Sequence, residues 1–129
     1  MLSVLSVISV IDDDASVRAA TNNLLCSHGY TVHTFASAEE FLQSAHLDRS
    51  SCVIADVQMP AMGGLDLLTH MRANGHPAPF IFITAFPEES VRTRAMKAGA
   101  ICVLAKPFAG SVLINCIEAA LIQDQEGED

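Results

Sequence analysis

Residues 4–14 have the sequence VLSVISVIDDD, an apolar run that ends abruptly in three consecutive carboxylates. The run is rich in valine and isoleucine and lacks strict alternation of polar and apolar residues. This pattern is typical of a strand that is covered on both faces within a parallel sheet. Ligands of open parallel sheets bind beyond the carboxyl ends of the strands. The stretch therefore predicts a buried strand with a site at its carboxyl end.

Three similar apolar runs and one weaker, alternating run follow along the chain. The similar runs cover residues 52–57, 80–85 and 100–105. The alternating run, residues 30–35, is expected near an edge of the sheet. Three stretches of helical length end just before a glycine that can form a left-handed cap, namely residues 15–28, 65–74 and 88–98. Two more helices are predicted around residues 39–45, behind the capping-box pair Ser37 and Glu40, and over residues 111–122.

The predicted order is a strand followed by a helix, repeated five times. Right-handed crossovers turn such a chain into an α/β fold, a doubly wound parallel sheet with helices on both faces. The polar residues that follow or end these strands are expected to meet at one edge of the sheet. They are Asp12, Asp13, Asp56, Thr84 and Lys106.

The composition excludes several classes of protein. The chain has 129 residues, enough for one hydrophobic core, and 50% of them are hydrophobic, which excludes a disordered chain. A formal net charge of -8 argues against direct binding of nucleic acid, because contacts to phosphates need a basic face. The four cysteines show no zinc-ligand spacing. The acidic residues are concentrated at the ends of the first and third strands and in the last six residues.

No linker divides the chain before these last acidic residues. We therefore expect one domain over residues 1–123 and a disordered acidic tail over residues 124–129. The apolar beginning of the chain lacks the basic flank of a signal peptide. It is also much shorter than the roughly 20 residues that a membrane span requires. The sequence therefore predicts a cytoplasmic protein that does not associate with membranes.

The residues at the predicted sheet edge suit magnesium-dependent phosphoryl transfer. Three carboxylates held together would repel one another, and a hard cation such as Mg²⁺ removes that conflict. A carboxylate beside the metal can attack phosphorus and form an aspartyl phosphate. The charge that develops on the phosphoryl oxygens needs donors or cations, which the hydroxyl of Thr84 and the ammonium of Lys106 can supply.

Several ordered motifs at these positions together resemble the receiver domain of two-component response regulators. They are residues 11–14 (IDDD), residues 56–60 (DVQMP) with residues 62–64 (MGG), residues 83–85 (ITA) and residues 106–108 (KPF). The resemblance covers residues 6–122 and is closest to receivers that precede helix-turn-helix output domains. It implies a flavodoxin-like (βα)5 fold with strand order 2-1-3-4-5. Both a stand-alone receiver and a part of a longer regulator are compatible with the sequence.

The resemblance also implies a role for each site residue. Asp56 matches the phosphoacceptor, Thr84 the switch hydroxyl, and Lys106 the lysine that pairs with the phosphoaspartate. The Mg²⁺ cofactor would be held by Asp12, Asp13, Asp56 and the backbone carbonyl of Gln58. The peptide bond before Pro107 is expected to be cis, and Asp14 is interpreted as a supporting charge.

The implied function is a phosphorylation-dependent signalling switch in a phosphorelay. A histidine kinase or a phosphotransfer protein would supply the phosphoryl group, and catalysis would be confined to self-phosphorylation and slow self-dephosphorylation. The face of the fourth helix and fifth strand would change its affinity for partners, and it is the candidate homodimer surface. One residue departs from the pattern, since Val103 stands where relatives usually carry tyrosine or phenylalanine.

Two other functions stay open at this point. Asp12, Asp14 and Ser16 follow a strand with the spacing of the nucleophile motif of haloacid-dehalogenase-like phosphatases, in which Asp12 would be the nucleophile. That family needs a further acidic motif after its lysine, and it leaves Asp56 without a role. The other alternative is a pseudo-receiver that binds a partner without phosphorylation. The three functions differ in the residue that accepts a phosphoryl group. It is Asp56 in the receiver and Asp12 in the phosphatase, and the pseudo-receiver has none.

Overall fold

The computed structural model describes residues 6–126, and the side chains of residues 6–122. Five strands alternate with helices. The strands are β1 (Val7–Ile11), β2 (Thr31–Phe35), β3 (Cys52–Asp56), β4 (Phe80–Thr84) and β5 (Cys102–Ala105). The helices are α1 (Ala15–Ser27), α2 (Ala38–Leu42), α3 (Gly64–Ala73), α4 (Glu89–Lys97) and α5 (Gly110–Glu126). All strand pairs are parallel and the order is β2-β1-β3-β4-β5, which confirms the predicted doubly wound sheet.

The sheet has an apolar layer on each face. Every residue of β3 and β4 is buried, as the unbroken apolar runs predict. Alternate residues of a strand point to opposite faces, so Val53 packs in one layer with Phe41 and Leu68 of α2 and α3. Ile54 packs in the other layer with Ile117 of α5. Strand β2 lies at the edge and is only partly buried, which confirms the interpretation of its alternating sequence. Within the described residues, no helix combines the length and apolar character that crossing a bilayer requires.

Helix α2 is shorter than the sequence predicts. It ends at Leu42, and a 3-10 turn that was not predicted follows at Leu47–Arg49. The hydroxyl of Ser44 donates to the carbonyl of Phe41 at 2.8 Å and accepts from the backbone N–H of His46 at 3.2 Å. A serine that bonds to nearby backbone groups in this way competes with the helical hydrogen bonds.

Helix α5 continues to Glu126, beyond the predicted end at Ile122. Residues 111–126 contain no glycine or proline that would stop a helix, and the first such residue is Gly127. The predicted domain boundary after residue 123 therefore falls within α5. Residues 127–129 of the predicted tail lie outside the described residues, and the division into a domain and a tail stays a prediction.

The parallel register places the predicted site residues beside one another. Ile11 of β1 lies opposite Ala55 of β3, so the residues that follow β1 lie beside Asp56. Thr84 ends β4 and lies opposite Ala105, the residue before Lys106.

The start of α3 packs closely against the end of β3, and Gly64 permits this approach because it has no side chain. A Cβ at Gly64 would lie 2.6 Å from the carbonyl oxygen of Asp56, closer than a side chain can approach.

A stacked histidine pair joins β2 to the segment between α2 and β3. The rings of His33 and His46 have centroids 3.7 Å apart and planes 15° apart. Burial, and to a smaller extent the charge of His46, hold the pKa of His33 below its ordinary value of 6.5. The folded protein thus binds a proton at His33 less readily than the unfolded chain does. The stability linked to His33 is fully present above pH 6.5 and is lost as the pH falls through the lower pKa of the folded state.

We therefore expect acidification from pH 7 to pH 5 to cost the wild-type protein more of its free energy of unfolding than it costs the His33→Phe variant. Phenylalanine keeps a ring for stacking but has no proton to bind. Urea unfolding at several pH values measures the effect. The His28→Phe variant is the control, because His28 is exposed at the end of α1 and should retain the wild-type pH dependence. An equal loss of stability in His33→Phe and wild-type protein would contradict this assignment.

Candidate functional site

Three carboxylates meet at the carboxyl end of the sheet, as predicted. Asp12 directly follows β1 and is fully buried, Asp56 ends β3 and is 5% exposed, and Asp13 is exposed to solvent. One carboxylate oxygen from each of the three lies within 4.8 Å of those from the other two. The cluster is therefore buried at its base and open at Asp13.

Lys106 places a positive charge against two of these carboxylates. Its Nζ lies 2.8 Å from Oδ2 of Asp56 and 3.0 Å from Oδ2 of Asp12. The backbone N–H of Lys106 donates to the carbonyl of Thr84 at 2.8 Å, which fixes the chain at the end of β5. The bond between Lys106 and Pro107 is cis, which confirms that prediction. A single ammonium thus bridges two carboxylates that come from different strands.

The pKa values of Asp12 and Lys106 are both raised, but for different reasons. Burial raises the pKa of Asp12, and the nearby charge of Asp56 adds to this, although the backbone N–H of Asp14 and the ammonium of Lys106 oppose it. Burial alone would lower the pKa of Lys106. The hydrogen bond to Asp56, the close contact with Asp12 and the negative charges of both outweigh that effect and raise the pKa of Lys106 above its ordinary value of 10.5. The lysine therefore stays charged at neutral pH, whereas ionised Asp12 is costly for the fold.

The buried carboxylate of Asp12 has an oxygen that could bind a metal ion. Its Oδ1 accepts a hydrogen bond from the backbone N–H of Asp14 at 2.9 Å. Its Oδ2 is buried, and no hydrogen bond satisfies it within the described part of the chain, although the ammonium of Lys106 lies at ion-pair distance. An oxygen-only donor set with an incompletely satisfied buried carboxylate and one solvent-exposed carboxylate fits a hard cation such as Mg²⁺.

Thr84 is fully buried at the end of β4, and both hydrogen-bonding functions of its hydroxyl are engaged. Its Oγ1 donates to Oε1 of Gln58 at 2.9 Å and accepts from the backbone N–H of Phe86 at 3.0 Å. Gln58 lies two residues after β3, and its backbone N–H donates to Oδ1 of Asp56 at 2.9 Å. The resemblance assigned only the backbone carbonyl of Gln58 to the site, and that assignment stays a prediction. The side-chain contact with Thr84 had no signal in the sequence.

Asp14 and Arg18 support the site rather than extend its carboxylate cluster. Oδ1 of Asp14 accepts from the backbone N–H groups of Ser16 and Val17, so Asp14 is the N-cap of α1. An aspartate directly before a helical stretch is a signal for this role, and the interpretation of Asp14 as a supporting charge did not include it. Nη1 of Arg18 donates to the backbone carbonyl of Asp12 at 2.7 Å and holds the end of β1.

The valine at position 103 leaves space beside Thr84. A cleft of about 120 Å³ lies between the start of α4 and the end of β5. Thr84, Val91 and Val103 are among the residues that line it. Val103 and Thr84 therefore line the same cleft.

Comparisons with known proteins agree with this geometry. The family profile described as the response regulator receiver domain matches residues 8–118. The chain is 40% identical over 122 residues to nodulation protein W of Bradyrhizobium diazoefficiens, covering 94% of this chain and 53% of that protein. It is 39% identical over 116 residues to the response regulator protein TodT of Pseudomonas putida, covering 90% and 51%. The chain spans about half the length of these curated relatives.

The structural comparison gives the same result. The crystal structure of FixJ-N is similar with a TM-score of 0.82 and 34% sequence identity, covering 90% of this chain and 93% of that one. The likeness therefore covers most of this chain and is not confined to the four motifs.

Proposed function

The chain belongs to the response regulator receiver domain family of two-component systems, and from that premise we propose that Asp56 is its phosphoacceptor. The observation that carries this proposal is the bridge of Lys106 between Asp56 and Asp12 at the open edge of the sheet. The domain is a signalling domain, and its chemistry would be limited to its own phosphorylation and slow dephosphorylation.

In the proposed reaction, Oδ1 or Oδ2 of Asp56 attacks the phosphorus of a phosphohistidine. The P–O bond to the aspartate forms as the P–N bond to the imidazole breaks, and the imidazole leaves with the electron pair of that bond. Lys106, which already touches Asp56, is placed to bind an oxygen of the transferred group. Thr84 can donate to another such oxygen once its hydroxyl leaves Gln58.

Mg²⁺ fits the carboxylates at this edge, and Asp12, Asp13 and Asp56 would hold it together with the predicted backbone carbonyl of Gln58. When bound, the ion would neutralise charge on the carboxylates and on the phosphoryl oxygens. Asp13 would admit the ion from solvent because it is the exposed member of the set.

The proposed partner is a histidine kinase or a phosphotransfer protein in the cytoplasm. The phosphorylated Asp56 carries roughly 1.5 to 2 negative charges in place of the single charge of its carboxylate, and α4 and β5 adjoin the site through Thr84 and the end of β5. The exposed residues Arg92, Arg94 and Lys97 on α4 make this face the proposed surface for a homodimer or another partner. We propose no direct contact with nucleic acid or membranes by this chain.

The geometry favours the receiver over the phosphatase that would use Asp12. That reaction needs Asp12 as an accessible nucleophile and uses Asp14 as part of the same motif. Asp12 is fully buried, and Asp14 is engaged as the cap of α1. The pseudo-receiver is tested by supplying acetyl phosphate and Mg²⁺ to the folded protein. A phosphoryl group that is retained on the folded protein supports the proposed function. If the folded protein acquires no phosphoryl group, the proposed function is contradicted.

Mg²⁺ is expected to stabilise the protein against heat. At a concentration ten times its dissociation constant, it should add about 1.4 kcal/mol, which raises Tm by about 5 °C for a domain of this size. Differential scanning calorimetry with and without Mg²⁺ measures the shift. The Asp13→Asn variant should show a much smaller shift, and Glu118→Gln, which removes an exposed carboxylate on α5, should show the full one. An undiminished shift in Asp13→Asn would contradict the metal assignment.

A further inference from the structure

Gln58 contacts the site in two ways that involve different parts of the residue. Its backbone N–H donates to Oδ1 of Asp56 at 2.9 Å. Its side-chain Oε1 accepts the hydroxyl proton of Thr84 at 2.9 Å. Gln58 therefore connects the end of β3 to the end of β4 through a hydrogen bond that the backbone ladder does not provide.

We propose that the side chain of Gln58 is a positioning residue that restrains Thr84 in the phosphoryl-free protein and opposes its turn toward a phosphoryl group. This inference rests on the proposed function, because it assigns a competitor to the hydroxyl that binds the phosphorylated Asp56. It concerns the amide side chain alone and is independent of any metal contact by the backbone carbonyl of the same residue.

Gln58 and a phosphoryl group would both need the single hydroxyl proton of Thr84. A threonine hydroxyl has one proton to donate, and in Thr84 that proton is donated to Gln58. The backbone N–H of Phe86 donates to the same oxygen at 3.0 Å and also restrains its position. Thr84 can therefore donate to a phosphoryl oxygen only after it gives up Gln58. The amide and the phosphoryl group compete for one proton.

The position of each partner determines the cost of this exchange. Thr84 is fully buried, so water cannot take the place of Gln58 as the acceptor of its proton without entering the site. Gln58 is exposed, so its amide oxygen is hydrated as soon as it releases the hydroxyl. The restraint is thus worth one ordinary hydrogen bond, which corresponds to a factor of about 2 to 10 in an equilibrium constant. A hydrogen bond of this strength can shift the equilibrium between two orientations of Thr84. The contacts of a phosphoryl group can still outweigh it.

The test uses the binding of beryllofluoride, which adds to an aspartate as a phosphoryl analogue, at a fixed saturating concentration of Mg²⁺. The Gln58→Met variant keeps the length of the side chain and removes the acceptor. We expect it to bind beryllofluoride about 2 to 10 times more tightly than wild-type protein by isothermal titration calorimetry. Gln43→Met, which replaces an exposed glutamine at the end of α2, is the matched control and should bind beryllofluoride with the wild-type affinity.

A double-mutant cycle shows whether Gln58 acts through Thr84. In a Thr84→Val background the hydroxyl is absent, so adding Gln58→Met should leave the affinity for beryllofluoride unchanged. An equal gain in both backgrounds, or weaker binding in Gln58→Met alone, would overturn the inference. Proton NMR gives an independent readout, since the buried hydroxyl proton of Thr84 should exchange slowly with water in wild-type protein and faster in Gln58→Met. Wild-type protein that binds no beryllofluoride contradicts the proposed function itself, and the inference then fails with it.

Discussion

The Asp56→Asn variant is expected to acquire no phosphoryl group from acetyl phosphate and Mg²⁺ under conditions in which wild-type protein is phosphorylated. An amide has almost the shape of a carboxylate but is a far weaker nucleophile, so the reaction is lost while the fold is kept. The replaced side chain ends β3 and is 5% exposed, in contact with Lys106 and the backbone N–H of Gln58. Mass spectrometry of the intact protein detects the added group.

The matched control for this experiment is Asp14→Asn. Asp14 belongs to the same run of three aspartates, but it caps α1, and asparagine is a comparably good cap. This variant should be phosphorylated like wild-type protein. Phosphorylation of Asp56→Asn at the wild-type level, with circular dichroism showing an intact fold, would exclude Asp56 as the acceptor.

The Lys106→Met variant is expected to lose both reactivity and stability. Its ammonium touches Asp56 and Asp12, and their buried carboxylates would be left without their common cation. Removing one partner of such a buried pair costs about 3 kcal/mol. The pKa of Lys106 is raised in the folded protein, so its contribution to stability is fully present below pH 10.5 and is lost as the pH rises through the higher folded value. Lys106→Met should therefore show the full loss of stability at pH 7.

The rate of phosphorylation of Lys106→Met should fall by about 100- to 1,000-fold, the usual effect of removing one donor to a developing oxyanion. Stopped-flow mixing with acetyl phosphate measures the rate, and urea unfolding without Mg²⁺ measures the stability. Lys97→Met, at the exposed end of α4, should match wild-type protein in both measurements. If Lys106→Met has the wild-type rate and stability, the ammonium does not bridge the carboxylates in solution.

The sheet and the meeting of the site residues could be predicted because both follow from local patterns. The unbroken apolar runs of β3 and β4 identify strands buried on both faces, and the alternating run of β2 identifies an edge. Polar residues at the carboxyl ends of parallel strands must meet at one edge of the sheet. Asp12, Asp56 and Lys106 meet there in the structure.

The features that were not predicted depend on the orientations of individual side chains. The hydrogen bond between Thr84 and Gln58 joins residues 26 positions apart and exists only for one orientation of each side chain. Arg18 reaches the carbonyl of Asp12 from the first turns of α1, and an arginine in a helix carries no signal for such a contact. The early end of α2 depends on the single hydroxyl of Ser44. Strand patterns therefore predicted the location of the site, whereas its restraints required the structure.

The most direct test of the central claim is to locate the acyl phosphate on the chain. Wild-type protein is phosphorylated with acetyl phosphate and Mg²⁺ and reduced with borohydride, which converts an aspartyl phosphate to homoserine. Tandem mass spectrometry of its peptides then identifies the converted residue. Homoserine at position 56 is the predicted result. Homoserine at position 12 would instead support the phosphatase, and no conversion anywhere in the folded protein would contradict phosphorylation as the basis of its function.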